Sequence, residues 1–345
     1  MNSLNASIST SPLRHPGAAS PSLRQSVRHL ASSICGLTLD LSLAVSASAP
    51  TRPLRRTRAR WSADDHATVE ILRPDDDQLY PALVYYHGGA FRSLSTRSHR
   101  ALVARYAAMG YVVFNIDYRL APEHPFPAAH NDAARSWAWV MRNAHHHGAH
   151  LQQRVIAGES AGANLAVSVV TAQQAGSTPD WAHALSTVPV ATDLIAACGL
   201  LQVSNPGRFR DSSVAGPAVV ASLQSILDDL VQGVRPSDTP AGYDPLLRVE
   251  RLRAPSSWPR TLVFCGTMDP LMADSRRLHT ALTRIGADSS LHVYDGGLHS
   301  FHAFPFSDIS RRCWQDQRAW LASDAAATPN MAVPNQLPPS LSVAA

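Results

Sequence analysis

The sequence predicts an α/β fold, a mostly parallel central sheet with helices on both faces, and three observations predict it. From residue 60 onward, short apolar runs alternate with longer stretches of helical spacing. Tyr111 to Ile116 is apolar but for Asn115, as a strand buried on both faces would be. The chain has 345 residues, 45% hydrophobic and 16% charged, which suffices for a large core in one or two domains.

The elements follow in order. Thr68 to Leu72 and Ala82 to Tyr86 read as strands, the second running into His87-Gly88-Gly89. Ser98 to Met109 has helical spacing and ends before Gly110, a suitable cap. After the strand Tyr111 to Ile116 comes an alanine-rich helix, Ala128 to Asn143, containing Trp137 and Trp139 as packing residues. Arg154 to Ala157 is a strand leading straight into Gly158, and Gly162 to Gln174 is the helix after it. Leu194 to Val203, Thr261 to Cys265 and Leu291 to Tyr294 are further strands, with a helix from Ala273 to Ile285. Two segments break this rhythm: residues 1–60, and about 205–259 with the amphipathic stretch Ala218 to Val231 inside it. Either could cover a site at the strand C-termini. Residues 325–345, rich in Ala, Pro and Ser, read as a disordered tail, so the catalytic domain is expected over 61–324.

Composition excludes several chemistries. All 30 basic residues are arginine, so no lysine can form a Schiff base, serve a phosphate loop or act in a Ser–Lys dyad. Residues 1–60 hold eight arginines against one acid, Asp40. The net charge of +4 therefore belongs to a basic extension on a mildly acidic body, and a nucleic-acid partner is not expected. Cys35, Cys198, Cys265 and Cys313 are widely spaced; Cys198 and Cys265 lie in apolar runs and read as buried free thiols. No apolar run is long enough for an integral membrane segment. Ala47-Ser48-Ala49 resembles a processing site but lies far from the start, so a cytoplasmic location is expected, with secretion or organelle targeting left open.

The chemistry begins at Gly158-Glu159-Ser160-Ala161-Gly162, a GxSxG between a strand and a helix. Such a turn is too sharp for side chains at the flanking positions and projects the serine hydroxyl outward. A serine hydroxyl needs a base held by a third group. Asp269, in Gly266-Thr267-Met268-Asp269-Pro270-Leu271, and His299, in Gly296-Gly297-Leu298-His299-Ser300-Phe301, each follow a strand C-terminus and complete the order Ser, Asp, His. Asp274, Asp295 and His302 are the competitors; Asp274 falls in a helix, and His302 reads as a packing or surface residue. The glycines of His87-Gly88-Gly89-Ala90-Phe91 leave backbone N–H groups unobstructed, so Gly88, Gly89 and the N–H of Ala161 are expected to form an oxyanion hole. His145-His146-His147 with His150 is more simply a helix end than a metal site, and Glu123 is expected to brace the glycine loop.

Taken together, HGGAF, Asp117-Tyr118-Arg119-Leu120-Ala121-Pro122-Glu123, GESAGANLA, GTMDPL and GGLHSFH resemble the bacterial-type, hormone-sensitive-lipase-like branch of the α/β-hydrolase superfamily, over about residues 68–320. The resemblance implies an α/β-hydrolase fold and hydrolysis of short-to-medium acyl or aryl esters, with no metal or organic cofactor and a small-molecule ester as partner. It also implies a helical cap built from the two irregular segments. Ala90 replaces the usual third glycine, and GESAGA replaces the usual GDSAGG, altering packing beside the serine through Glu159 and Ala163. Residues 1–60 match the usual cap helices poorly. An acyltransferase, cyclase or amidase using the same triad stays open, as does a homodimer. A non-catalytic small-molecule receptor is disfavoured because His299 is retained.

Overall fold

The structure is a computed structural model describing residues 52–325, apart from 65, 175–178, 211–213, 215, 233–241, 254–256 and 305. The expected leader or cap upstream of residue 52 and the expected tail from 326 lie outside the described residues. Eight strands form one sheet: β1 (Leu54–Arg60), β2 (Thr68–Pro74), β3 (Tyr80–Tyr86), β4 (Val112–Ile116), β5 (Ala149–Glu159), β6 (Asp193–Ala197), β7 (Arg260–Gly266) and β8 (Ser289–Tyr294). Their order is β1-β2-β4-β3-β5-β6-β7-β8. The β1–β2 and β2–β4 pairs are antiparallel and the remaining five are parallel.

Between the strands lie α1 (Arg100–Ala108), α2 (Ala128–Asn143), α3 (Ala161–Gln174), α4 (Pro217–Val231), α5 (Pro245–Val249) and α6 (Met272–Arg284), with α7 (Asp308–Ala325) after β8. Strand side chains alternate between faces. Ala82, Val84 and Tyr86 of β3 join a core with Trp137 of α2, Leu165 of α3 and Leu278 of α6. Leu83 and Tyr85 join a second core with Tyr106 of α1 and Trp314 of α7. Helices therefore cover both faces, as the alternating pattern predicts. Trp137 is fully buried and donates its Nε1–H to the Pro189 carbonyl at 3.1 Å, a packing role. Cys198, Cys265 and Cys313 are buried and unpaired.

Three expectations change. Residues 54–60 are a sheet strand, not part of a separate extension. Its sequence, LRRTRAR, carries no apolar alternation because, among the described residues, β1 is an edge strand with mostly exposed side chains. The apolar run from Leu194 to Val203 is strand only to Ala197; Cys198 has a φ of 48°, which ends extended backbone. The helix α7, absent from the sequence reading, packs Cys313, Trp314 and Leu321 into the second core. Among the described residues, no helix is long and apolar enough to cross a membrane.

Candidate active site

Because β3 and β5 to β8 run parallel, the loops leaving their C-terminal ends gather at one edge of the sheet. Ser160 follows β5 directly, in a turn tight enough to require glycine on both sides. A Cβ on Gly158 would lie 2.2 Å from the Gly162 carbonyl oxygen, and one on Gly162 would lie 2.0 Å from that of Tyr86. Ser160 itself is held at a φ of 53°, a left-handed conformation costing a non-glycine residue about 1–2 kcal/mol. Its backbone is pinned there: the N–H donates to the Ala197 carbonyl at 2.9 Å, and the carbonyl accepts from Leu200 N–H at 3.1 Å.

Ser160 Oγ lies 3.1 Å from His299 Nε2. His299 Nδ1 lies 3.1 and 3.0 Å from the two carboxylate oxygens of Asp269. The Asp269 side chain is fully buried, and its Oδ1 also accepts the Leu271 N–H at 2.8 Å. The ring orientation leaves Nε2 facing the serine, with the Nδ1 proton on the aspartate side. Burial opposes charge on His299, but the charge and hydrogen bond of Asp269, with the charge of Glu159, outweigh it and raise its pKa. The three residues expected from motif order are thus brought within hydrogen-bond distance.

The competitors are occupied elsewhere. Asp274 is buried and accepts the N–H groups of Leu201 and Gln202, while Arg208 pairs with it at 2.8 Å. Asp295 accepts the Thr267 hydroxyl at 3.2 Å. His302 is buried, with Nε2 3.3 Å from Glu159 Oε2.

The glycine loop departs from expectation at Gly88, whose N–H donates to His99 Nε2 at 3.2 Å. Gly89 and Ala90 line the cavity beside Ser160. Ala161 begins α3, and the first N–H groups of a helix have no intrahelical acceptor. Glu123 is exposed; the loop is braced instead by the Tyr118 hydroxyl, donating to the His87 carbonyl at 2.7 Å, and by Ala121 N–H on the Phe91 carbonyl at 2.8 Å.

The cavity has a volume of about 400 Å³, with Ser160 and His299 in its wall. Most of its lining is apolar, with Leu94 and Leu200 from the loops and Val219, Leu223 and Ile226 from α4. The helix is tied down by Arg92 of the glycine loop, which donates to Asp229 at 2.7 Å and Ser225 at 3.0 Å. The amphipathic stretch picked out in the sequence therefore lines the same cavity as the serine with one of its faces.

Sequence reasoning missed the surroundings of Glu159. Its carboxylate is buried and accepts the Ser300 hydroxyl at 2.9 Å. The sequence showed Glu159 only as a departure from the usual motif; it needed the fold to bring it against Ser300 and His302. Cys198, Asp269 and His299 are the one group of metal-ligand types, among the described residues, whose donor atoms lie within 4.8 Å of one another. The histidines at 145–147 and 150 form no such group there; His145 and His146 rings lie 3.8 Å apart, and His147 packs against Trp139.

Comparisons with known proteins agree with this architecture. The alpha/beta hydrolase fold family matches residues 83–303, more than half of the chain. Carboxylesterase NlhH of Mycobacterium tuberculosis is 42% identical over 102 residues, covering 29% of this chain and 32% of that protein. The chloroplastic tuliposide A-converting enzyme 2 of Tulipa gesneriana is 28% identical over 250 residues, covering 67% of this chain and 59% of that protein. The chain thus spans less than two thirds of the length of either relative. Among solved structures, an esterase of Pyrobaculum calidifontis superposes with a TM-score of 0.69 at 26% identity, covering 85% of this chain and 93% of the other. The chain belongs to the alpha/beta hydrolase fold family, in its hormone-sensitive-lipase-like branch.

Proposed function

We propose that the chain is a serine carboxylic-ester hydrolase acting through an acyl-enzyme on short-to-medium acyl or aryl esters. The observation that carries this reading is the continuous contact from Ser160 Oγ to His299 Nε2, and from His299 Nδ1 to the buried Asp269 carboxylate. In the proposed cycle His299 takes the hydroxyl proton as Ser160 attacks the ester carbonyl, and Asp269 stabilises the imidazolium that results. The negative charge on the tetrahedral oxygen is met by the N–H groups of Gly89 and Ala161. Gly88 joins them only by releasing His99. Each such donor is worth on the order of 10²–10³ in rate. The imidazolium then protonates the leaving alcohol, and water repeats the sequence on the acyl group.

The apolar wall supplied by α4 supports a substrate with a hydrocarbon or aromatic portion rather than a charged one, and casts α4 as the cap. A cavity of about 400 Å³ fits a chain of modest length. Ser160→Ala is expected to abolish hydrolysis of p-nitrophenyl acetate and butyrate with the thermal transition unchanged. The wild type is expected to be labelled by a fluorophosphonate at Ser160. Retention of wild-type turnover by Ser160→Ala would overturn the assignment. Adding a competing alcohol and separating free acid from new ester measures how much acyl group goes to acceptors other than water.

A further inference from the structure

We propose that Glu159 is a positioning residue for His299, its buried carboxylate holding the histidine loop through Ser300 and setting a second negative charge behind the imidazole. The inference rests on the hydrolase reading above. Glu159 precedes Ser160 in the same turn, so its backbone is fixed relative to the serine, and its carboxylate is held by contacts of both oxygens. Oε1 accepts the Ser300 hydroxyl at 2.9 Å, and Ser300 is the residue next to His299. Oε2 lies 3.3 Å from His302 Nε2, three residues beyond His299. Gly88 packs so closely over this carboxylate that a Cβ there would lie 2.7 Å from Oε1. One carboxylate thus touches the serine turn, the histidine loop and the glycine loop.

The charge has reason to persist. Burial pushes the carboxyl up, but the imidazoles of His99, His302 and His299 around it outweigh this and hold it below the usual carboxylate range. The start of α3, immediately after Ser160, also favours an anion. His302 is itself driven down to about 4 by burial, so its charge helps the carboxylate only at low pH, and above that it leaves the anion uncancelled. The titratable groups around His299 are Asp269 after β7, Cys198 after β6, Glu159 after β5 and His302 on its own loop, with His99, before α1, on the far side of Glu159 and 3.7 Å from its Oε1. Of these Glu159 is the second carboxylate, and it acts on His299 in the same direction as Asp269.

Three variants separate charge from packing. Glu159→Gln keeps the size and an acceptor for Ser300, Glu159→Ala removes the group, and Glu159→Asp keeps the charge. With p-nitrophenyl butyrate, both uncharged variants are expected to move the acid limb of kcat/KM down by roughly half a pH unit or more. Their kcat falls about tenfold with a smaller change in KM, while Glu159→Asp keeps the wild-type limb. Imidazole NMR titration of His299 in the Ser160→Ala protein, with and without each substitution, gives the same order without using turnover. A residue that merely packs would lower Tm and kcat and leave the limb in place. Superimposable limbs and titrations in the wild type and whichever uncharged variant folds overturn the inference. Fluorophosphonate labelling distinguishes the two levels: an unlabelled, inactive wild type defeats the hydrolase reading, whereas a labelled, active wild type with an unmoved limb defeats this inference alone.

Discussion

His299 carries the most informative titration in the molecule. In the proposed cycle its neutral form accepts the serine proton, and Asp269 and Glu159 raise its pKa against the effect of burial. Activity should therefore rise with pH through a value above the ordinary 6.5 or so of histidine. Asp269→Asn removes the carboxylate with the larger effect on His299 and leaves burial opposing protonation, so the acid limb should move to lower pH. The same change allows the wrong tautomer and should lower kcat on the order of 10³–10⁴-fold, measured with p-nitrophenyl butyrate across pH 5 to 9. Motif order was enough to pick out Ser160, Asp269 and His299 because each sits just past a strand whose apolar run is easy to see. Glu159, His99 and Ser300 were illegible because their meeting is made by three separate loops, and Gly88 was misjudged because a backbone N–H gives no sign in sequence of which acceptor it meets.

At the scale of elements, strand β5, the turn and helix α3 behave as one unit. The backbone of α3 reaches the end of β3 so closely that Gly162→Ala would drive a methyl into the Tyr86 carbonyl, 2.0 Å from the ideal Cβ position. A loss of roughly 1–3 kcal/mol in unfolding free energy is expected by urea denaturation, with activity falling further because Ser160 is displaced. The buried strands were legible because a strand covered on both faces is mostly apolar, with the few polar residues, such as Asn115 and Asp193, held by specific partners. The edge strand β1 was not, since its outward side chains answer to water rather than to a core. The helix α7 hides its pattern among charges, yet Ser310, Cys313, Trp314, Gln317 and Leu321 are its buried positions, a spacing of three and four residues. Polar Ser310 and Gln317 within that stripe break the hydrophobic count while preserving the period. Gln317 is buried because it accepts the Tyr106 hydroxyl of α1 at 2.6 Å.

For the molecule as a whole, the sheet's cooperativity depends on clamps between distant strands and helices. Asp193, at the start of β6, is fully buried and pairs with Arg260 of β7 through two bonds of 2.9 and 2.7 Å. Arg260 also reaches the Trp320 carbonyl and the Ser323 hydroxyl of α7. Asp193→Ala would strand a largely buried guanidinium and is expected to cost about 3 kcal/mol or more, read as a lower urea midpoint with the pH profile of activity unaltered. The arginines of β1 have a different consequence. An edge strand offers a row of backbone donors and acceptors to any other chain that can lie beside it. Arg55, Arg56, Thr57 and Arg58 crowd that border with exposed side chains, three of them charged alike. Among the described residues that border is unpaired. A second copy approaching it edge to edge would bring Arg58, with Arg55 and Arg56 beside their partners Asp75 and Glu70, against its own arginines. That discourages open-ended stacking of sheets and the aggregation that follows from it.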